Sequence, residues 1–257
     1  MSVRSVKTLQ SFYDNLAPDY DLMTGFPDRF AREQKFFKGI VKRYRITTAI
    51  DAGCGTGFHA LLLSQFGVKV TAVDISRKMI LATRKNSREY HLPIRTRQSS
   101  FTELSKKIRN RVSALFCMGN SLAHLLTERE LVDSLCNFHQ VLQPGGILVI
   151  QLVNFDRILK EKKALQNERE SGGITFRRSY KYHKKSITFI IEIKSGDNKE
   201  TIKKISVKLN PIRSDELQEL LTRTGFSPVD RFGSIAEEYF SPDSSRDLVI
   251  LAKRHLQ

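Results

Sequence analysis

The chain has 257 residues, 40% of them hydrophobic, with 16 Phe and no Trp. That is enough for one large α/β domain or a core with a smaller inserted unit, and it excludes a disordered chain. The formal net charge is +16, which raises non-specific affinity for nucleic acid, anionic membranes or acidic proteins.

Position matters more than the sum. Residues 155–213 hold 16 Lys/Arg against 7 Asp/Glu, a local balance of +9; a solvated surface accounts for such a run as readily as a docking patch does. No apolar run approaches the roughly 20 residues that span a bilayer. The start, Met1 to Lys7, has no apolar segment behind its charges, so no secretory signal is expected. Cys54, Cys117 and Cys136 lack CxxC spacing. This fits reduced thiols in a cytoplasm, with no metal site expected.

In chain order, residues 1–45 read as helical, interrupted at Pro18 and Pro27. Ala49 to Ala52 is a short strand running into Gly53-Cys54-Gly55-Thr56-Gly57. A helix follows with Leu61, Leu62 and Phe66 apolar, and Gly67 is its C-cap. Residues 68–73 form a second strand ending at Asp74, and a helix over 76–90 puts Met79, Ile80 and Thr83 on one face. Residues 114–118 are a strand, 131–142 a helix stopped by Pro144-Gly145-Gly146, and 147–153 another strand. Strands and helices alternating at this spacing imply βαβ units and a mostly parallel sheet.

The rhythm then changes. Ile187, Phe189, Ile191 and Ile193 alternate strictly, a turn follows at Ser195-Gly196-Asp197-Asn198, and Ile205, Val207 and Leu209 alternate again. Ile174, Phe176, Tyr180 and Tyr182 alternate less cleanly because Arg178 interrupts their face. The pattern predicts an antiparallel hairpin unit inserted late in the α/β fold. A capped helix from Ser214 to Gly225 and strands near 229–232 and 247–252 close the chain.

The glycine-rich turn between strand and helix lets backbone approach a ligand closely at the carboxyl edge of the sheet. Asp74, 17 residues beyond Gly57 and at the end of the next strand, can accept both hydroxyls of an adenosine ribose. Phe58 stands where a dinucleotide fingerprint needs its third glycine, and no P-loop Gly-Lys-Ser/Thr is present. A GxGxG turn preceded by Asp51 suits a ligand without a pyrophosphate, and a dehydrogenase is disfavoured.

Residues 49–57 resemble the first motif of class I S-adenosylmethionine methyltransferases, and Val73-Asp74-Ile75-Ser76 their second. The run Phe116-Cys117-Met118-Gly119-Asn120-Ser121-Leu122-Ala123-His124-Leu125, with Pro144 to Ile150 and Asn154 to Leu159, is similar to the glycine/sarcosine N-methyltransferase-like branch. The likeness runs from about Ser11 to Lys253 and is strongest over 48–160. It implies a Rossmann-like, mostly parallel seven-stranded sheet with helices on both faces and a small antiparallel β insertion. The implied units are an N-terminal helical lid at 1–45, a cofactor-binding core at 46–154, an insertion over the acceptor at 155–212, and a closing segment at 213–257.

By the same resemblance, S-adenosylmethionine is the cofactor. Gly53, Gly55 and the loop after Asp51 face its methionine portion, Asp74 its ribose, and Ser100 and Phe101 its adenine. Ser100 replaces a commoner acidic or amide residue there. Cys117 and Met118 present backbone to the methionine end, Arg29 pairs with the cofactor carboxylate, and Tyr13 and Tyr20 belong to the lid.

The sulfonium is already activated, so a dedicated base is optional. For a phenol or enol acceptor His124 is the candidate base, its alternative being a helix-start residue bonded to backbone. Asn120 could bind the acceptor, and Tyr13 could add cation–π attraction to the sulfonium. Where glycine-using relatives place an arginine for the amino-acid carboxylate, this chain has Val153, which argues against glycine. The expected acceptor is a small molecule, an amine or an aromatic oxygen. RNA or protein methylation through the basic insert, and a non-catalytic cofactor-binding subunit, are the rival readings.

Overall fold

In a computed structural model, which describes residues 3–196 and 200–255, the N-terminal segment folds into three helices. They are α1 (Val3–Leu16), α2 (Tyr20–Thr24) and α3 (Phe26–Arg43). Pro18 falls in a short 3-10 turn between the first two, whereas Pro27 sits in the first turn of α3 and does not interrupt it. The break is at Gly25, whose φ of 68° is the left-handed conformation that ends α2.

The core follows as β1 (Thr48–Ala52), α4 (Phe58–Gln65), β2 (Lys69–Asp74), α5 (Arg77–Glu89) and β3 (Ile94–Gln98). Next come α6 (Leu104–Lys107), β4 (Val112–Cys117), α7 (Glu128–Val141) and β5 (Leu142–Val153). The α7 helix starts earlier than its apolar face suggests, because Thr127 and Glu130 form a capping box ahead of Leu131. Pro144 lies three residues beyond the end of α7 at Val141, already within β5. Its register against β4 jumps from Val112–Leu142 to Ala114–Ile147, so residues 143–146 are taken up in a bulge.

After α8 (Phe155–Glu161) come β6 (Leu165–Ser171), β7 (Ile174–Tyr182), β8 (Ile187–Ser195) and β9 (Thr201–Leu209). The chain closes with α9 (Ser214–Arg223), β10 (Phe226–Phe232) and β11 (Asp247–Arg254). Arg213, not Ser214, is the N-cap of α9.

The large sheet has the order β10-β11-β5-β4-β1-β2-β3. Its strands run parallel except β11, which is antiparallel to both β5 and β10. The order reverses at β1, flanked by β2 on one side and β4 on the other, and a crevice opens at the carboxyl ends of strands at such a switch point. Each central strand feeds both faces: Ile50, Ala52, Leu115 and Cys117 pack on one side, Ala49, Ala114 and Phe116 on the other. The first side is covered by α1, α7 and α9 through residues such as Phe12, Leu135 and Leu220, the second by α3 and α4 through Phe37, Ile40 and Leu62.

β6 to β9 form a separate antiparallel sheet in sequential order. Ile187, Ile191, Val207 and Leu209 belong to the same core as α1, so the apolar side of this small sheet is buried. Lys203 Nζ reaches the Asn15 carbonyl and Asp19 carboxylate, both at 2.7 Å, tying β9 to the end of α1 and the turn after it. The turn expected at Asp197 and Asn198 lies outside the described residues. Among the described residues no helix is long and apolar enough to cross a membrane.

Candidate functional site

The glycine turn after β1 lies at the switch point. Gly53 has φ 77° and Gly55 φ 55°, where a side chain is strained by roughly 1–2 kcal/mol. A Cβ on Gly53 would meet Ser121 Oγ at 2.6 Å, and one on Gly55 would lie 3.3 Å from the Tyr20 ring. The backbone is therefore pinched between Tyr20 of α2 and the loop after β4. Gly55→Ala should weaken binding of S-adenosylhomocysteine by about five- to thirtyfold if that strain is borne in the bound state. Equilibrium titration checks this, and unchanged affinity would show that the loop tolerates a side chain.

Asp74 ends β2 and is 7% exposed. Its Oδ2 accepts the Gly55 N–H and its Oδ1 the Ser76 N–H, both at 2.9 Å. One carboxylate thus braces the glycine turn and the start of α5. Burial pushes it up to about 6, with those N–H donors pulling the other way and Asp51 adding to the rise.

Asp51 is 1% exposed, among the described residues no side chain donates to its carboxylate, and the Ala60 N–H is the backbone donor that faces it. Burial lifts it to about 6 as well, opposed by the charges of His59 and Arg29.

Arg29 is held beside them. Its Nε donates to Glu33 at 2.7 Å, its Nη2 lies 3.0 Å from His59 Nε2, and its guanidinium stacks on Phe58 at 4.0 Å. Burial alone would raise Glu33, but hydrogen bonds and charge from His59 and Arg29 outweigh it and hold Glu33 at about 2.

A cleft enclosing about 530 Å³, counted out to its open mouth, lies over this turn. Its wall includes Tyr13, Tyr20, Gly53, Gly55, Asp74, Ser100, Phe101 and His124. Phe101 packs edge-on against Phe138 with centroids 5.3 Å apart, and Ser100 Oγ lies 3.2 Å from Thr102 Oγ1.

Across the cleft, Tyr13 from α1 and His124 from the turn after β4 share a 2.6 Å hydrogen bond. Burial drives the Tyr13 phenol well above its usual range and His124 down to about 4. His124 Nδ1 is sealed and unpartnered. The pair is therefore neutral at physiological pH, and the histidine's partner is a side chain instead of backbone.

Asp51, Arg29, Asn120, Cys117 and Met118 are not on the cleft wall. Cys117 and Met118 are buried at the end of β4, where the Met118 carbonyl accepts the Ser121 hydroxyl at 2.8 Å. Asn120 adopts φ 68°, and its Oδ1 accepts the Val153 N–H at 3.2 Å, joining the ends of β4 and β5. Leu9, Ser99 and Ser121 line the cleft without having been singled out from the sequence. Leu9 carried a signal, since with Phe12, Tyr13 and Leu16 it makes one helical face.

The N-terminal helices are fastened at several points. Asp14 Oδ1 accepts the Ser76 hydroxyl at 2.5 Å and the Lys78 N–H at 3.2 Å, while Asp21 accepts from Thr56 Oγ1 at 2.5 Å and Asn86 Nδ2 at 3.1 Å. These bonds hold Tyr13 and Tyr20 over the glycine turn. A backbone cradle and a buried carboxylate with lone pairs to spare suit a ligand carrying vicinal hydroxyls. The ribose of S-adenosylmethionine has them.

Comparison with known proteins agrees with this geometry. A family described as a methyltransferase domain matches residues 49–146. A glycine/sarcosine N-methyltransferase from Aphanothece halophytica is 27% identical over 250 residues, spanning 95% of this chain and 90% of that protein. Among solved structures, an S-adenosylmethionine-dependent methyltransferase from Clostridium acetobutylicum superposes with a TM-score of 0.79 at 14% identity, covering 95% of this chain and 99% of that one. A sugar N-methyltransferase from Streptoalloteichus superposes with a TM-score of 0.70 at 17% identity and 92% coverage of both chains. The chain thus carries a methyltransferase domain at residues 49–146, and over nearly its whole length it is similar to glycine/sarcosine N-methyltransferases.

Proposed function

We propose that the protein methylates an amine nitrogen of a small acceptor inside the lid-covered cleft. The observation that carries this is the likeness to a glycine/sarcosine N-methyltransferase across 95% of the chain, lid and small sheet included. Bound S-adenosylmethionine supplies an electrophilic methyl group on a sulfonium. In this reading Asp74 accepts the ribose hydroxyls, the Gly53–Gly57 backbone cradles the methionine portion, and Ser100 and Phe101 flank the base. Arg29 and Asp51 provide the opposite charges behind the turn that the cofactor's carboxylate and ammonium require. Cys117, Met118 and Asn120 shape the β4 end from below the wall.

The protein's remaining tasks are alignment and exclusion of water. Tyr13, Tyr20 and Leu9 close the cleft from the lid side. An ammonium of pKa about 10 must shed its proton before it can attack, and desolvation under such a lid favours the neutral amine. The neutral Tyr13–His124 pair places two polar groups at the cleft wall without a formal charge beside the sulfonium.

His124 then acts by position, not as a base that titrates near neutrality. The profile of kcat/KM should show no inflection from His124 between pH about 6 and 7. Tyr13→Phe should lower kcat/KM about fivefold, the worth of roughly one neutral hydrogen bond, and leave that profile unchanged. A hundredfold loss with a missing limb would instead make Tyr13 part of the proton transfer.

The insert's charge is partly neutralised. Arg169, Arg177, Lys203 and Lys204 each lie within 4.0 Å of a carboxylate, which leaves less free charge for docking a macromolecule. The test is incubation of the chain with methyl-deuterated S-adenosylmethionine and a panel of small amines and phenols. Labelled N-methyl products are expected. Labelled O-methyl products alone, or none with any amine, would overturn the reading.

A further inference from the structure

Helix α5 carries an asparagine that helix formation does not explain. Asn86 shares a buried face with Met79, Ile80 and Thr83 and is 7% exposed. Asparagine is a poor helix former, and an amide buried on an apolar face is costly unless its donors are used. Both are used here, and both leave α5. One Nδ2 hydrogen goes to the Thr56 carbonyl in the glycine turn at 3.0 Å, the other to Asp21 Oδ2 in α2 at 3.1 Å.

Asp21 completes a triangle. Its other oxygen, Oδ1, accepts the Thr56 hydroxyl at 2.5 Å, so one carboxylate is bonded to the turn and to α5 at once. Nearly one helical turn before Asn86, Thr83 Oγ1 donates to the Gly55 carbonyl at 2.9 Å. Two successive carbonyls of the turn are thereby held by α5. The residue before Asp21 is Tyr20, whose ring a Cβ on Gly55 would approach to 3.3 Å. Fixing Asp21 therefore also fixes where that ring stands on the cleft wall. The other acidic anchor of these helices, Asp14, bonds Ser76 and Lys78 at the start of α5, one step removed from the turn.

We infer that Asn86 is a positioning residue that couples the glycine turn to α1 and α2, so that cofactor binding and the seating of Tyr13 and Tyr20 over the turn stabilise each other. This rests on the reading of the cleft as the S-adenosylmethionine site. Asn86 is not on the cleft wall; it acts through Thr56 and Asp21. Such coupling is reciprocal, since a ligand that fixes the turn also fixes the carboxylate bonded to it.

The test is Asn86→Asp, which keeps the shape of the side chain but replaces its two donor hydrogens with a carboxylate oxygen facing Asp21. Titration calorimetry with S-adenosylhomocysteine is paired with hydrogen exchange of peptides covering residues 3–24 and 53–57. In the wild type the ligand should slow exchange in both segments. In Asn86→Asp affinity should fall about tenfold. At saturation the ligand-induced slowing over 3–24 should be lost while that over 53–57 remains. The double variant Asp21→Asn/Asn86→Asp restores a donor and an acceptor across the same gap and should return affinity to within about threefold of wild type.

A purely structural role would loosen both segments alike and leave the double variant no better than the single one. If Asn86→Asp does not fold, Asn86→Ala takes its place, with the same loss over 3–24 expected. Affinity within twofold of wild type, slowing over 3–24 that survives the substitution, or a double variant without recovery would overturn the coupling. A wild type that binds S-adenosylhomocysteine while 3–24 never slows would remove the coupling and leave the cofactor reading. A wild type that does not bind it would remove that reading and the coupling with it.

Discussion

Asp74→Ala is expected to weaken S-adenosylhomocysteine binding by on the order of a hundredfold, about 3 kcal/mol, with Asp74→Asn intermediate. The carboxylate does two jobs. Its oxygens already accept the N–H groups of Gly55 and Ser76 at 2.9 Å, and each keeps a further lone pair for a ribose hydroxyl. Hydrogen bonds to a charged group contribute about 1.5–3 kcal/mol each, so losing the ribose contacts alone approaches the stated figure. Loosening of the Gly53–Gly57 turn adds to it. Asparagine keeps one acceptor oxygen but presents an amide to the other donor, which explains the intermediate rank. Titration calorimetry reads both variants, and an Asp74→Ala protein that binds within threefold of wild type would separate Asp74 from the ligand.

The same titration should depend on pH. Asp74 and Asp51 are both pushed to about 6, burial being the first cause in each. A ligand that needs the ionised carboxylate must then displace a proton below that pH. Affinity should be level above pH about 7 and fall as pH drops, by about tenfold at pH 5 for each carboxylate that has to ionise.

The ligand-free fold runs the other way. Between pH about 4 and 6 the folded state holds protons on these two groups that the unfolded chain has released, so their contribution to stability is lost as pH rises through 6. His124, lowered to about 4, contributes with the opposite sign: its share is full above pH about 6.5 and is lost as pH falls through 4. Binding and thermal melts measured across pH 4.5–8 in two buffers of different ionisation heat give the proton release directly. An affinity that does not change from pH 5 to 7 would mean that neither carboxylate must ionise for the ligand.

The alternating order of the core was legible because its central strands are buried on both faces and read as short apolar runs between glycine turns. β3 and β6 were not. Ile94–Gln98 is an edge strand with Arg95 and Arg97 exposed, and Leu165–Ser171 is the polar edge of the small sheet. An edge strand needs no apolar run, since one side faces water and pairing alone holds it. α8 was visible only as part of a motif, because seven residues give too little period to read.

The site divides in the same way. The glycine turn and Asp74 were readable from spacing, as strand ends carry their function in sequence order. The Tyr13–His124 bond joins residues 111 apart and depends on the lid folding back over β4, which no local pattern encodes. Asn120 seemed to face the ligand from its place after the strand, yet its left-handed backbone turns the side chain onto Val153. Arg178 interrupts an alternating strand, and only the fold shows that its Nη2 meets the Met23 carbonyl of α2.

The most direct test of the central claim is a crystal structure of the chain with S-adenosylhomocysteine. The account predicts the ribose hydroxyls on Asp74, the base between Ser100 and Phe101, and the sulfur facing the side of the cleft closed by Tyr13 and His124. Ligand density elsewhere, or a ribose turned away from Asp74, would contradict it.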